Sequence, residues 1–583
     1  MLQRDYASPV ESAYFFPRSA APAWLLYKAR PKRYTSPASP RAALLRSFTY
    51  GFHVLSMPNI DSRRAPWFAI LIFIAAWFCV DGILIAPDFG QLDIYYFKDA
   101  GINFAEGLGL TTRFTYGNPT FAYRDYAQYP PIYPLTFGLY AKAAGVSALS
   151  NQLFNSLVAM LAGVAGFLAL RPIIARTVSG RSRAWLEPVI AIASIATGYF
   201  YLSCDRPDGL AVALGIAALI HAIRGATSGS AMTAGALCAL TVFTSPFAGL
   251  WTALAAAIGI LTVSARTLPV SLRRLVWMGF GGCTAAIGLL ALLRMALPGW
   301  FDGFLGVATG SNTHNETGGG YFLALLKGDV HAWWSGFGYS RPEHYVLLIK
   351  LCAVAGALMY PMIMDFVQPR GKRRAARLLP LLIVSPICLI TAPYQSNYAT
   401  ITAALLLAGW ASIEAAKPLG SNRGAAIAIL LAFSVNVVLT VPFQARDLLV
   451  RFSTRESLPR ALAYLESHRK DLEADGGYSA VSPTNYILWR QAGLHPLNSI
   501  YSGFRDPASR EKLNVLALSY PGSGDLLRPQ EPEFIPENEY VSVFQPVLPQ
   551  PAVVGGHVLS RSSQTWESAV YRRRTCESCS ASR

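Results

Sequence analysis

Residues 67–87 read WFAILIFIAAWFCVDGILIAP, and residues 93–134 read DIYYFKDAGINFAEGLGLTTRFTYGNPTFAYRDYAQYPPIYP. The first stretch is apolar over the roughly 20 helical residues that a bilayer's hydrocarbon core demands. The second brings acids, bases, many aromatics and the Pro130–Pro131 pair immediately after it. A membrane span therefore runs directly into a loop at a water boundary. The whole chain agrees with that reading: its 583 residues are 53% hydrophobic and only 14% charged, with a positive mean hydropathy. This is too apolar for an ordinary soluble protein and reads as a polytopic membrane protein.

The net charge of +17 does not indicate nucleic acid, because Arg and Lys cluster in short loops between long apolar runs. Positive-inside topology accounts for that pattern. Residues 1–66 are rich in Pro, Ser, Ala and Arg and hold no apolar run long enough for a secretory signal, so a disordered cytoplasmic tail is expected. Arg41, Arg46, Arg63 and Arg64 precede the first span and keep that tail inside. The first outer loop, residues 88–148, is then extracytoplasmic. Asp81, near the outer end of the first span, either reaches the interface or belongs with the intramembrane acids that serve function.

Beyond the loop, Tyr133 to Val146 is apolar but too short to cross and is expected to lie in the interface. Spans are expected near Leu149–Leu170, Val189–Ser203, Gly209–Ile223, Ala231–Thr244, Phe247–Val263, Leu275–Leu297, Tyr345–Phe366, Leu378–Thr391, Tyr398–Ile413 and Ala425–Val441. Arg171, Arg176, Arg181 and Arg183, then 266–274, 370–377, Lys417 and Arg423 mark the inner loops. The expected fold is an all-α polytopic bundle of about 11 transmembrane helices over 67–443, with juxtamembrane helices in the first outer loop. Residues 444–574 have the composition of a water-soluble segment. A helix over Leu458–Lys470 and strands at Tyr478–Val481, Tyr540–Phe544 and Ala569–Tyr571 predict a small α+β extracytoplasmic domain, with a disordered tail at 575–583. Cys79, Cys238, Cys283, Cys352 and Cys388 lie in apolar runs and behave as small core residues. Cys576 and Cys579 lack the second ligand pair that a zinc site requires.

On this map the polar groups in or beside the spans fall on one face. Asp205, Arg206 and Asp208 sit where one span ends and the next begins, with Arg206 and Asp208 a candidate ion pair. Tyr394, Gln395, Ser396 and Asn397 occupy a similar place. A later outer loop carries His314, Asn315, Glu316, Arg341 and His344. Together with the Asp93 loop these groups are expected to line one cavity at the outer water boundary.

An Asp just after the first span (Asp93), a Tyr-rich helix ending in EGLGL, a YPPIYPL segment and a later RPDGLA resemble the C-type membrane glycosyltransferases. The resemblance covers the chain from Trp67 to the start of the soluble segment, on short motifs. It implies an inner-membrane, multi-pass enzyme of the cell envelope that takes a sugar from a polyprenyl-phosphate carrier outside the cytoplasm. On it Asp93 is the expected catalytic base, because transfer to a hydroxyl needs the acceptor proton removed as the anomeric carbon becomes oxocarbenium-like. A helix cap is the competing role for that carboxylate, and the two are compatible.

The substrate-binding candidates follow. Arg206 suits a donor phosphate, since guanidinium binds phosphate bidentately, with Asp208 as its partner. Arg341 and His344 are further phosphate candidates, and Asn397 lines the same expected cavity. Asp99, on the helix after Asp93 with Glu106, and Asp125, before the Pro pair, suit acceptor binding; solvated interface positions are the ordinary reading for such acids. Tyr129, Tyr133 and Trp334 suit stacking on sugar or lipid, or an interfacial aromatic belt.

Departures limit what the resemblance carries. Ile94 stands where the protein mannosyltransferase branch has a second acid, and Ser335 follows Trp333–Trp334 where an oligosaccharyltransferase-like WWDYG has Asp. No outer DxD pair supports a divalent metal, so a metal would need scattered ligands, and the sequence identifies no cofactor with certainty. The expected partners are the polyprenyl-phosphate donor, an envelope glycan, lipid or protein acceptor, and the bilayer, without nucleic acid. A transporter or flippase of a lipid-linked or small polar substrate is the competing class. One-sided polar groups favour the enzyme, because transporters place such groups at mid-membrane depth between paired halves. A structural envelope protein would leave Asp93 dispensable.

Overall fold

The computed structural model describes residues 65–84, most of 93–301, scattered positions of 430–452, and most of 457–498, together with residue 512 and the strands 513–519, 540–544, 553–554, 557–558 and 568–573. Helix α1, Ala65–Ile83, has 19 residues, about 28 Å at 1.5 Å per residue, close to the roughly 30 Å of a hydrocarbon core. Phe68, Leu71, Ile72 and Ile83 point outward from it. Such a face is a liability in water and ordinary against acyl chains.

After the segment expected from the sequence as the first outer loop come α5, Ala148–Thr177, α6, Gly180–Leu202, α7, Asp208–Arg224, α8, Ser228–Val242, α9, Pro246–Gly259, and α10, Leu268–Ala296. Each falls where the apolar runs predict one. The described chain is mostly helical, and four of its helices are long and apolar enough to cross a membrane: Pro66–Ile83, Ala148–Ala175, Ser182–Leu202 and Leu268–Ala296. The expected count of about 11 draws on segments after 301, of which 345–413 lie outside the described residues and 425–441 largely so. Of the tail expected at 1–66, Ala65 and Pro66 instead begin α1; its residues 1–64, the tail expected at 575–583, and Cys352, Cys388, Cys576 and Cys579 lie outside the described residues.

Helices α5 and α6 pack almost backbone to backbone. A Cβ on Gly163 would sit 2.5 Å from the Ile195 Cα, and one on Gly198 would sit 2.6 Å from the Ala159 carbonyl oxygen. Small residues that admit such approach are the usual device where no hydrophobic force drives helices together. Beside this seam Glu187 pairs with Arg171 and, at 3.1 Å, with Arg183.

The segment between α1 and α5, expected from the sequence as the first outer loop, contains α2, Asp93–Phe97, and α3, Asp99–Ala105, then strands β1, Thr111–Thr115, and β2, Asn118–Asp125, and finally α4, Ile132–Ala144. The two strands form an antiparallel hairpin with Thr111 opposite Asp125 and an irregularity between Thr112 and Phe114. Helix α4 coincides with the short apolar run expected as a helix at 133–146. It lies hard against α3, where a Cβ on Gly101 would meet the Pro134 carbonyl oxygen at 2.4 Å.

The C-terminal segment builds α11, Ser457–Ser467, α12, Arg469–Glu473, β3, Tyr478–Val481, α13, Pro483–Gln491, β4, Leu497–Asn498, β5, Leu513–Ser519, β6, Tyr540–Phe544, a small β7–β8 pair at Val553–Val554 and His557–Val558, and β9, Ser568–Arg573. Five strands pair in the order β4-β3-β5-β9-β6, with β3 parallel to β4 and β5 and β9 antiparallel to β5 and β6. Its apolar side chains share a core with the first outer loop. Val481, Tyr486, Ile487 and Trp489 pack in one cluster with Ile94, Tyr95, Tyr133, Phe137 and Phe154.

Asp81 is fully buried, so of the two sequence expectations the interfacial one fails. Its carboxylate accepts from Arg451 Nη2 at 2.6 Å, from Tyr199 Oη at 3.1 Å and from the Ser156 hydroxyl. Arg451 also donates to the Leu84 carbonyl at 2.9 Å and to Tyr199 Oη at 2.8 Å. The pair ties the end of α1 to a position 370 residues later, which no local sequence pattern announces. Removing one member leaves the other charge buried and alone, so Arg451→Met is expected to destabilise the folded protein by about 3–5 kcal/mol. Denaturant unfolding of the purified protein in micelles measures this; an unchanged midpoint contradicts the assignment.

Candidate active site

Opposite charges stand on consecutive residues, Lys98 and Asp99, at the break between α2 and α3. They are held by opposite sets of partners. Lys98 has no exposed surface. Its Nζ donates to Asn151 Oδ1 at 2.5 Å, Asn155 Oδ1 at 2.5 Å and Asp205 Oδ1 at 2.8 Å. Both asparagine amides donate back to the same Asp205 oxygen, at 3.1 and 2.9 Å. Three acceptors around one nitrogen match the three N–H groups of an ammonium and exceed the two of a neutral amine. Burial pulls the Lys98 pKa below its ordinary value, while the Asp205 carboxylate pulls it back. The rings of Phe137 and Phe154, 4.6 and 5.4 Å from the nitrogen, complete the enclosure.

Asp99 faces the C-terminal segment. It is 4% exposed, and its carboxylate accepts from Thr112 Oγ1 at 2.5 Å, from Asn103 Nδ2 at 3.4 Å and from the Tyr486 hydroxyl on α13. A solvated position for Asp99 is thereby corrected. Arg490, one turn along α13 from Tyr486, donates to Asn103 Oδ1 at 2.7 Å and pairs with Glu106 at the end of α3. Burial opposes the Arg490 charge, but Tyr486, Glu106 and Asp99 overcome it and raise its pKa. Burial first, then the Asp99 carboxylate, pushes the Tyr486 hydroxyl well above its usual range, against the pull of Arg490. It is thus a donor at neutral pH.

The other anticipated residues separate into three groups. Asp93 is the first residue of α2. Arg206 lies 2.8 Å from Asp208, as the sequence suggests, and its guanidinium sits 5.4 Å from the ring centroid of Phe97, one turn after Asp93. Tyr129 is half-buried against Phe97 at 4.8 Å and Tyr96 at 5.9 Å. These residues converge on α2. Tyr133 is 1% exposed and packed on Phe97 and Phe154, which makes it a core residue of the loop. Asp125 is exposed at the end of the hairpin. Arg341, His344, Asn397, Trp334, Tyr394–Ser396 and the 314–316 group lie outside the described residues. Sequence reasoning missed Lys98, Asn151, Asn155, Tyr486 and Arg490. The signal for the first was a lysine among aromatics in YYFKD; for the asparagines, SNQLFN places Asn151 and Asn155 at i and i+4 on one helix face. Among the described residues no cluster of three or more His, Cys, Asp or Glu is arranged to hold a metal.

No protein-family model matches the chain, and neither does any curated protein sequence. Solved structures do. The chain is similar to arabinofuranosyltransferase AftD from Mycobacteria, with a TM-score of 0.44 and 16% identity over 88% of this chain and 40% of that one. It is also similar to ArnT from Cupriavidus metallidurans bound to undecaprenyl phosphate, at 0.39 and 11% over 87% and 98%. A third is the oligosaccharyltransferase AglB from Archaeoglobus fulgidus, in complex with an inhibitory peptide and a dolichol-phosphate, at 0.33 and 12% over 77% and 69%. This chain thus spans two fifths of the AftD chain and nearly all of ArnT.

Burial also raises Tyr126, whose hydroxyl donates to the Tyr96 carbonyl at 2.7 Å. An unfolded chain releases its tyrosine protons near pH 10. The folded protein keeps those of Tyr126 and Tyr486 to higher pH, so their contribution to stability is complete below about pH 10 and declines as pH rises beyond it. In an alkaline absorbance titration Tyr126 and Tyr486 are expected to ionise late, along with Tyr140, which burial also raises. Tyr486→Phe should remove one late equivalent; a loss from the phase near pH 10 contradicts the burial.

Proposed function

We propose that the protein is an extracytoplasmic, polyprenyl-phosphate-dependent glycosyltransferase of the inner membrane, with Asp93 as its general base. One observation carries the reading: Arg206 lies over Phe97, one turn from Asp93, on an element whose neighbours are aromatic. A phosphate clamp packed against the short helix that bears the carboxylate brings together the two groups that sugar transfer from a lipid phosphate requires.

In this mechanism Arg206, held by Asp208, binds the phosphate that links sugar to carrier. Asp93 takes the proton of the acceptor hydroxyl as its oxygen attacks the anomeric carbon. The bond from that carbon to the phosphate oxygen breaks, and its electron pair leaves on the polyprenyl phosphate. A single base suffices, which favours inversion. Tyr129 supplies a stacking face for the sugar, and Arg341, His344 and Asn397 are proposed to complete the donor side. The segment from Arg446 onward is read as an extracytoplasmic α+β unit, the N-terminus as cytoplasmic, and the acceptor as an envelope glycan, lipid or protein.

The test offers the purified protein a panel of radiolabelled polyprenyl-phosphate sugars with an envelope-lipid extract. Asp93→Asn should lower turnover by about 10²-fold or more, with the protein still folded. Undiminished transfer by the folded variant removes Asp93 from the chemistry. Movement of the lipid-linked sugar across the membrane without transfer moves the protein to the transporter class.

A further inference from the structure

Of the buried charges among the described residues, three groups, around Asp81, Lys98 and Asp99, join the most distant segments. The first joins helix ends and the second seals a helix break against the bundle. The third is different, because it joins the C-terminal segment to the element that bears Asp93. We propose that Tyr486 and Arg490 are positioning residues: from α13 they hold α2–α3, and with it Asp93, through Asp99, Asn103 and Glu106. This inference rests on the reading of Asp93 given above.

Four observations support it. First, the contacts are side chain to side chain and charged, so they have a defined geometry: Tyr486 to Asp99, and Arg490 to Asn103 and Glu106. Second, Tyr95, two residues after Asp93, donates from its hydroxyl to the Val481 carbonyl at 2.7 Å, at the end of β3, and its ring lies edge-on to Tyr486 at 4.7 Å. The hold therefore reaches α2 itself. Third, the hairpin after α3 is caught as well. Arg113 donates to the His495 carbonyl at 3.2 Å, with Tyr123 at 4.0 Å and Tyr478 at 5.7 Å from its guanidinium. Fourth, α2 and α3 have five and seven residues, too short to hold a helical conformation by themselves in water. Their geometry must come from what they pack on.

A base within a helix this short is placed only as well as the helix is, and a misplacement of about 1 Å can lower turnover about 10²-fold. The C-terminal segment thereby sets the chemistry without touching substrate. Positioning predicts that loosening the hold lowers kcat while donor binding through Arg206, which is registered from the other side by Lys98 and Asp205, is retained.

The variant is Tyr486→Phe, which keeps the ring on Tyr95 and removes the hydroxyl from Asp99; Arg490→Lys keeps the charge and loses the fork. Full-length protein in nanodiscs is compared by hydrogen exchange and by turnover on the polyprenyl-phosphate sugar panel. In Tyr486→Phe the amides of 93–106 are expected to exchange at least tenfold faster while those of α5, α6 and β5 keep their protection, and kcat to fall about tenfold with KM for the donor within twofold. Arg490→Lys should fall between the variant and the wild type in both readings. Unchanged exchange over 93–106, loosening of the whole chain, or local loosening with undiminished kcat overturns the proposal. If the wild type transfers no sugar at all, the glycosyltransferase reading fails, whereas the exchange data still decide whether α13 holds α2–α3.

Discussion

A lysine ammonium without any solvent exposure is the constraint on which the segment from α2 to α4 depends. Water stabilises such a charge strongly, and the interior repays the loss only with good geometry and full hydrogen bonding. Lys98 finds both in Asn151 and Asn155 on α5 and Asp205 just before α7. Wherever α2 and α3 go, that corner of the helical bundle must go with them. Because Arg206 follows Asp205, the same bond fixes the guanidinium over Phe97 at the end of α2. A charge buried for structure thus sets the spacing of the residues proposed to do the chemistry.

The neighbouring residue works in the opposite direction. Asp99 binds Tyr486, and Arg490 extends the contact to Asn103 and Glu106. The loop helices are therefore caught between a membrane bundle and a mixed sheet, and the shared apolar core of Tyr95, Tyr133, Phe137, Phe154, Tyr486 and Trp489 fills the space between the two sets of charges. Hydrophobic burial supplies the bulk of the attraction without direction. The ionic and hydrogen-bonded groups supply register.

Much of this architecture is legible in the sequence, because apolar length is a local property. The helices from Ala65 to Ala296 appear where continuous apolar runs predict them, and the Arg206–Asp208 pair is visible in RPDG. Strands at 478–481 and 540–544 likewise follow from short apolar runs between turns. The hairpin at Thr111–Asp125 left a signal in alternating residues around Gly117–Asn118, and α13 in Pro483 at its first position, where Pro is favoured. What no local pattern discloses is pairing at long range. Asp99 and Tyr486 are separated by 387 residues, and Asp81 and Arg451 by 370. Acids read singly look solvated, since that is where most acids lie; only the fold supplies the partner that permits burial.

The most direct test is a double-mutant cycle on the Lys98–Asp205 pair, using Lys98→Met, Asp205→Leu and both together, with unfolding followed by denaturant in micelles. Each single change leaves a buried charge without its partner and is expected to cost about 3–5 kcal/mol, while the double change, with two apolar side chains facing one another, recovers most of that loss. Losses that simply add, or single variants as stable as the wild type, would contradict the claim that this buried pair organises the site.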